Sequence, residues 1–257
     1  MSKPVRVLTV VGSLLVGGAE RYLARVSPRL LKHGVEVEIC TLERVGPLVE
    51  VLEASNIPVH NTSFAFRRRQ VGMVRLLPVV SQTISDVSRL IRRGRYDAVH
   101  SYLFFADVIA TAAAKMARAR RMIESRRALH AWRHDPNFLE HSLELSCNVL
   151  SDELIANSQA VMRDVEEHER WVPRRRTVIY NGIEPDEFRL ASPRAKGRLR
   201  MITVGALAPR KGQEYALEAL KNVRDAGVEA ELTLVGSGPD AAMLGRRSGQ
   251  LGITEYV

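Results

Sequence analysis

Val5-Arg-Val-Leu-Thr-Val-Val11 runs through Gly12-Ser-Leu-Leu-Val to Gly17-Gly18 and straight into the helical stretch that opens Ala19-Glu20-Arg21. Near the other end the pattern returns. Met201-Ile-Thr-Val-Gly205 leads through Ala206-Leu-Ala-Pro-Arg210-Lys211-Gly212 into another helical stretch. A glycine lacks a Cβ, so Gly17 and Gly18 let the backbone take positive φ and let a ligand come close. The helix that follows presents unpaired amide donors and a positive dipole end, which suit phosphate oxygens. A charge there is worth roughly 0.3–1 kcal/mol, or about 2 when partly buried. A strand-to-helix turn also needs glycine for its own geometry, so the pair alone leaves both readings open.

Between these two units apolar runs alternate with helical patterns. Strands are expected at Val5–Val11, Val35–Thr41, Ile57–His60, Ala98–Ser101, Arg121–Ser125, Glu153–Ala156 and Thr177–Tyr180. Helices are expected at Ala19–Lys32, Met73–Arg93, Phe105–Ala119, Asn137–Leu150 and Ser158–His168. Near-continuous Val/Ile/Leu runs predict parallel sheet covered on both faces, and the alternation predicts an α/β doubly wound class. Pro28 is expected to kink or shorten the first helix, and Gly34 to cap it. A linker is expected from about Asn181 to Gly197, where Asn-Gly, Pro185 and Pro193 oppose regular structure. The pattern then restarts with strand Leu199–Gly205, helix Gln213–Asp225, strand Ala230–Gly236 and helix Asp240–Ser248, and Thr254-Glu-Tyr-Val257 reads as the start of another strand. The expected organisation is two Rossmann-like domains, 1–190 and 191–257, with parallel sheets and a cleft between them, the second domain incomplete.

Composition limits the function classes. The 257 residues carry a net charge of +9, placed almost wholly before residue 198, where 30 Lys and Arg face 22 Asp and Glu. Arg67-Arg68-Arg69, Arg75, Arg92-Arg93-Arg95 and Arg118-Arg120-Arg121 form the clusters. Such a face suits an anionic membrane surface or substrate, or is simply solvated. No nucleic-acid module accompanies it, so no nucleic-acid partner is expected. Charges interrupt every apolar run and no secretory pattern opens the chain, so a cytoplasmic protein is expected, either free or peripheral at the inner membrane face. Cys40 and Cys147 lack metal-type spacing and read as core thiols. A nicotinamide site fits poorly because Gly12-x₄-Gly17-Gly18 is not G-x-G-x-x-G. No Gly-Lys-Ser/Thr follows either strand, which excludes a P-loop.

Six short signatures follow one another in order: Gly17-Gly18-Ala19-Glu20-Arg21, Asp97-Ala-Val-His100, Ile155-Ala-Asn157-Ser158, Val178-Ile-Tyr-Asn181-Gly182-Ile183, Val204-Gly205 through Lys211-Gly212, and Leu234-Val-Gly236-Ser-Gly238-Pro239. With them the chain resembles the retaining glycosyltransferases of family 4, which have the GT-B fold. The resemblance implies a nucleotide-sugar donor held by the second domain, a glycan, lipid or other acceptor held by the first, and transfer with retention. It implies no cofactor and no obligate metal, because protein cations and helix dipoles stabilise the departing diphosphate.

Carried over residue by residue, Lys211 falls on the diphosphate lysine, with Gly17 and Gly18 as the backbone loop beside the same group. Arg210 is an adjacent candidate cation, since the family's arginine position is Ala206 here. His100 matches the first histidine of a strand-end His-x-His, and Tyr102 stands at the second, which meets the donor sugar. Both are the candidate catalytic residues. Arg126 and Arg127, at the end of the strand after Arg121, are candidates for binding an anionic acceptor. The family's paired-glutamate motif, Glu-x₇-Glu, is expected beyond residue 257. The chain therefore reads as truncated and weakly active or inactive, with a non-catalytic glycan-, lipid- or partner-binding protein as the alternative.

Overall fold

The computed structural model describes residues 4–43, 45–62, 73–129, 138–183 and 197–257, the side chains of 73–76 and of Arg210 excepted. The chain forms two compact units, Met1–Ile183 and Glu184–Val257. Arg67–Arg69 and most of the expected linker lie outside the described residues.

Unit 1 is built from β1 (Val5–Val11), α1 (Gly18–Lys32), β2 (Val35–Thr41), α2 (Leu48–Ala54), β3 (Val59–Asn61), α3 (Met73–Gly94), β4 (Ala98–Tyr102), α4 (Phe104–Ala117), β5 (Met122–Arg126), α5 (Phe138–Leu150), β6 (Glu153–Ala156), α6 (Gln159–His168) and β7 (Arg175–Val178). The seven strands form one sheet in the order β3-β2-β1-β4-β5-β6-β7, and every neighbouring pair is parallel. The order runs one way from β1 to β3 and the other way from β4 to β7. The strand ends therefore diverge between β1 and β4, the place where open α/β sheets form a crevice.

Apolar side chains alternate to both faces of the sheet. On one face Val11, Leu14 and Ile39 pack with Leu23 of α1 and Leu52 of α2. On the other, Leu8, Val10 and Val99 pack with Val87 and Ile91 of α3 and Ala110 and Ala113 of α4. The small residues of α4 let it lie close to the sheet. Cys40 and Cys147 are both buried and free.

Unit 2 contains β8 (Leu199–Val204), α7 (Gln213–Asp225), β9 (Ala230–Val235) and α8 (Ala241–Gln250). Its two strands are parallel. A single cluster of Leu217 and Leu220 from α7, Leu232 of β9, Leu244 of α8 and Ile253 forms its core. That core covers one sheet face. On the opposite face Ile202 and Val204 are 66% and 72% exposed.

Several expectations change. Helix α1 runs through Pro28 to Lys32 without shortening. Gly34 does cap it, at φ +78. Strand β7 begins at Arg175, two residues before the expected start, because exposed arginines hydrogen-bond along the edge strand as well as apolar residues do. Thr254–Tyr256 is a 3₁₀ turn and not a strand: buried Ile253 anchors it, and the Arg224 guanidinium lies over the Tyr256 ring. Helix α2 has no counterpart among the expected elements; at seven residues it is too short to establish a periodicity.

Candidate functional site

The crevice between β1 and β4 holds a cavity of about 380 Å³. Gly12 and Ser13 follow β1 into it, Leu103 and Phe104 follow β4, and Ser125, Arg126 and Arg127 come from the end of β5. Leu103 sits at φ 73, ψ 149, a conformation that L side chains rarely adopt. Strain of this kind costs on the order of 1–3 kcal/mol and persists only where surrounding structure fixes it. Here it swings the first turn of α4 over the cavity, so that Phe104 and Phe105 form one wall.

Arg126 lines the cavity, but its side-chain donors are engaged inside the fold. It is only 4% exposed. Its Nε and Nη2 donate to the two oxygens of Glu169 at 3.0 and 3.1 Å. Nη1 donates to Asp107 Oδ2 at 3.0 Å, and Nη2 also donates to Asn148 Oδ1 at 3.0 Å. Glu124 Oε2 completes the ring as an ion pair at 3.1 Å, although this oxygen accepts no hydrogen bond of proper angle. Three carboxylates hold the guanidinium far on its charged side, raising its pKa above the ordinary value despite the opposing effect of burial. With its donors engaged inside the fold, Arg126 ties the end of β5 to α4, α5 and the residue after α6.

Arg127, the next residue, turns the other way. Its guanidinium lies 4.1 Å from the Tyr22 ring centre and 5.2 Å from that of Tyr102. Nη2 donates to Asn181 Oδ1 at 2.7 Å. Among the described residues no carboxylate pairs with it, and burial pulls its pKa below the ordinary value. Arg127 is thus the cavity's available cation.

His100 and Tyr102 lie together at the end of β4, with ring centres 4.5 Å apart. The His100 Nε2 shares a hydrogen bond with Ser125 Oγ at 2.8 Å. Burial, and secondarily the nearby Arg127 charge, takes the His100 pKa down to about 3. The imidazole is therefore neutral at physiological pH. Tyr102 is 4% exposed, packs with Val11 and Leu14, and has its phenol pushed up by burial. It is a core residue whose ring supports Arg127.

The glycine pair lacks the expected positive φ. Gly17 is the α1 N-cap at φ −129, and Gly18 is the first helical residue; neither has positive φ. A Cβ on Gly17 would fall 2.2 Å from Glu20 Oε2. The absent side chain makes room for the Glu20 carboxylate, which folds back on the start of α1 and reaches the cavity. Burial raises the Glu20 pKa, against a lowering backbone hydrogen bond.

In unit 2, Pro209–Lys211 forms a 3₁₀ turn and Gly212, at φ 67, is the N-cap of α7. Gln213 Nε2 donates to the Ala206 carbonyl at 2.8 Å, fixing the loop to the helix start. Lys211 is exposed at this turn. Arg210 shares the turn, but its side chain lies outside the described residues. Gly236 and Gly238 pack backbone to backbone on the same loop: a Cβ on either would meet the Gly205 carbonyl oxygen at 1.9 Å or that of Leu207 at 2.2 Å. Close approach requires glycine at both positions.

The structure brings His100, Tyr102 and Arg127 together, and it groups Lys211 with Arg210 on one turn. Sequence reasoning missed the Arg126 network and the role of Glu20. The signal for the first was legible: Asp107 and Glu124 are acids in elements that read as buried, where a charge needs a partner. No group of three or more His, Cys, Asp or Glu among the described residues is arranged to hold a metal ion. No helix among the described residues is long and apolar enough to cross a membrane.

Residues 16–187 match the family model described as Glycosyltransferase Family 4, and residues 185–257 match that described as Glycosyl transferases group 1. The GDP-mannose-dependent alpha-(1-6)-phosphatidylinositol monomannoside mannosyltransferase of Mycolicibacterium smegmatis is 31% identical over 86 residues, covering 30% of this chain and 22% of the relative. The D-inositol 3-phosphate glycosyltransferase of Streptomyces scabiei is 24% identical over 273 residues, covering 94% of this chain and 60% of the relative. The alignments thus span less than two thirds of either curated relative. Among solved structures, the Anabaena protein HepE in complex with UDP and glucose superposes with a TM-score of 0.74 at 20% identity, over 98% of this chain and 68% of that one.

Proposed function

The chain belongs to glycosyltransferase family 4, and from that premise we propose that it moves a sugar from a nucleotide-sugar donor to an acceptor hydroxyl with retention at the anomeric carbon. The observation that carries the reading is the presence, in each unit, of one of the two halves such a reaction needs. Unit 1 has a cavity with a cation at its rim, and unit 2 has a lysine at a turn that opens into a helix N-terminus. We assign the acceptor to the first and the donor diphosphate to the second. The name of one relative gives GDP-mannose as donor, and the two curated names give inositol-containing acceptors, which supports a nucleotide-sugar donor and a polyol or glycan acceptor.

In this reading the bond from the anomeric carbon to the diphosphate breaks with its electron pair remaining on phosphate. The acceptor oxygen bonds to that carbon, and its proton passes to the departing phosphate. Negative charge therefore grows on the leaving group as the bond breaks. Lys211 and the α7 amides meet that growth, with Arg210 as a second cation, and no metal is needed. His100 stays neutral, so it serves as a hydrogen-bonding group and not as a proton reservoir. We place the protein in the cytoplasm, peripheral to an anionic membrane face. Equal and poor co-sedimentation with neutral and anionic liposomes removes that last part.

A second reading, a non-catalytic binding protein, is favoured by two substitutions: core-packed Tyr102 in place of a sugar-facing histidine, and Ala206 in place of an arginine. One assay separates the two. Incubation with UDP- and GDP-sugars and a polyol or glycan acceptor should release nucleoside diphosphate and form product, and Lys211→Ala should slow this by about 10²–10³. Failure to bind any nucleotide-sugar contradicts the transferase reading.

A further inference from the structure

We propose that unit 1 docks on an anionic bilayer through the end of its sheet where the strands start, and that this turns the cavity between β1 and β4 away from the lipid. The proposal rests on the peripheral-membrane reading and names the surface that makes the contact.

In a parallel sheet every helix-to-strand connection gathers at one end, and here the cavity opens at the other. The last turn of α3 and its connection to β4 carry Arg92, Arg93 and Arg95, and the connection from α4 to β5 carries Arg118, Arg120 and Arg121; all six are exposed. The two sets meet. Arg92 Nη1 donates to the Met116 carbonyl at 3.5 Å, and Arg120 Nη1 pairs with Asp97 Oδ1 at 3.6 Å. Asp97 also accepts from the Arg6 amide at 3.0 Å, and Asp152, before β6, accepts from the Met122 amide at 2.7 Å. These two acids are thus engaged by the backbone. The connection from α6 to β7 adds exposed Arg174 beside exposed Trp171.

Backbone geometry separates this side of the sheet end from the other. A helix that turns back into a strand commonly needs one residue of positive φ, which glycine or asparagine takes most readily. Before β2 and β3 that residue is Gly34, at φ 78, and Asn56, at φ 60. Before β4, β5 and β7 it is Arg95, Arg118 and Trp171, at φ 50, 54 and 57. A Cβ meets a steric cost there that glycine avoids, yet all three side chains are exposed and fill no core position. The chain holds two guanidiniums and an indole in strained backbone where glycine would fold more easily.

The composition of this end selects a lipid surface. The core of a protein interface is depleted of charge, whereas here one sign of charge is sustained across neighbouring connections. A plane of lipid phosphates takes such a face: each basic residue near it adds attraction, and guanidinium forks match phosphate oxygens. Trp171 and Met116, 73% and 48% exposed, add apolar groups among the charges. An indole settles at the boundary of lipid and water, with its ring toward the chains and its N–H among the headgroups. Strand β4 is five residues long, so the cavity opens about 15 Å from the docked end and faces water. The site therefore takes its acceptor from solution and not from the bilayer on which the protein sits.

Co-sedimentation of the full chain with vesicles of phosphatidylcholine, alone and mixed with phosphatidylglycerol, tests this. The chain should pellet with the anionic vesicles and be released by about 0.5 M salt. Arg93→Gln, Arg120→Gln and Arg121→Gln together should weaken binding by at least about tenfold. Arg25→Gln, Arg163→Gln and Arg246→Gln together remove the same charge elsewhere and should change it by less than about threefold. Trp171→Gly relieves the backbone, so it should keep the melting temperature while weakening binding by at least about threefold. Orientation is read by fluorescence. In Trp132→Phe, Trp171 is the one tryptophan left, and brominated lipid should quench it. In Phe105→Trp with Trp132→Phe and Trp171→Phe, the reporter stands at the cavity wall and should stay unquenched. Quenching at 105 and not at 171, or equal loss from the two arginine sets, overturns the proposal and leaves the membrane reading intact. Failure of the wild-type chain to bind either vesicle ends that reading and this one with it. Binding of poly-glutamate without binding of vesicles assigns the face to an acidic protein and overturns the lipid assignment.

Discussion

Unit 1 and unit 2 are built from the same strand–helix vocabulary and solve burial differently. Seven parallel strands in unit 1 carry separate apolar clusters on their two faces, and the helix layer at the end of β5 buries a guanidinium with three carboxylates around it. Among the described residues unit 2 has two strands and one cluster, and its Ile202 and Val204 are exposed. Burying apolar area stabilises by about 25 cal/mol per Å², so a sheet covered on one side has much less to set against the entropy of ordering its chain. The difference teaches where each unit can place charge. Unit 1 uses an internal ion cluster to shape its site, whereas unit 2 keeps its cation on an exposed turn.

The largest expected effect comes from breaking the internal cluster. Arg126→Met should cost unit 1 about 3–5 kcal/mol, because three buried carboxylates lose their cation. Urea unfolding followed by circular dichroism measures it, and a loss under 1 kcal/mol would show that the cluster does not hold the sheet ends together. In unit 2, Leu220→Ala removes a fully buried side chain of the only cluster found there among the described residues and should cost about 2–5 kcal/mol. Hydrogen exchange should then show unit 2 amides opening while the β1, β4 and β5 amides keep their protection. Equal loss in both units would make them one cooperative body.

The smallest effect is a pH slope. The folded His100 has a pKa of about 3 against an ordinary 6.5. Between those values the unfolded chain takes up a proton that the folded chain refuses, so this contribution is intact above about pH 6.5 and is lost as pH falls toward about 3. The slope is at most about 1.4 kcal/mol per pH unit. His100→Gln should flatten it when unfolding curves at pH 7 and pH 4.5 are compared, and an unchanged slope would show that His100 titrates normally.

Strand and helix positions were legible because both units repeat a strong apolar pattern: β1, β2, β6 and α7 fall where the sequence places them. The site was legible in outline only. His100 and Tyr102 mark the end of β4 from sequence, but the Tyr102 ring turns inward because Val11 and Leu14 make room for it. Arg126 and Arg127 are identical in one dimension. Alternation along β5 sends one into the helix layer with Asp107 and Asn148 and leaves the other at the rim, and only the positions of α4, α5 and α6 say which. Gly17 was read for backbone freedom, whereas it provides space for a carboxylate three residues on. Long-range partners of this kind leave no local periodicity to read.

The central claim is that the two units take different ligands, and a pair of amide chemical-shift maps tests it most directly. Added to the ¹⁵N-labelled chain, UDP should move the amides of 205–213 and 236–240, and a polyol or glycan acceptor should move those of 103–107 and 125–128. Perturbation of one common set by both ligands, or no response around Arg127, would contradict the account.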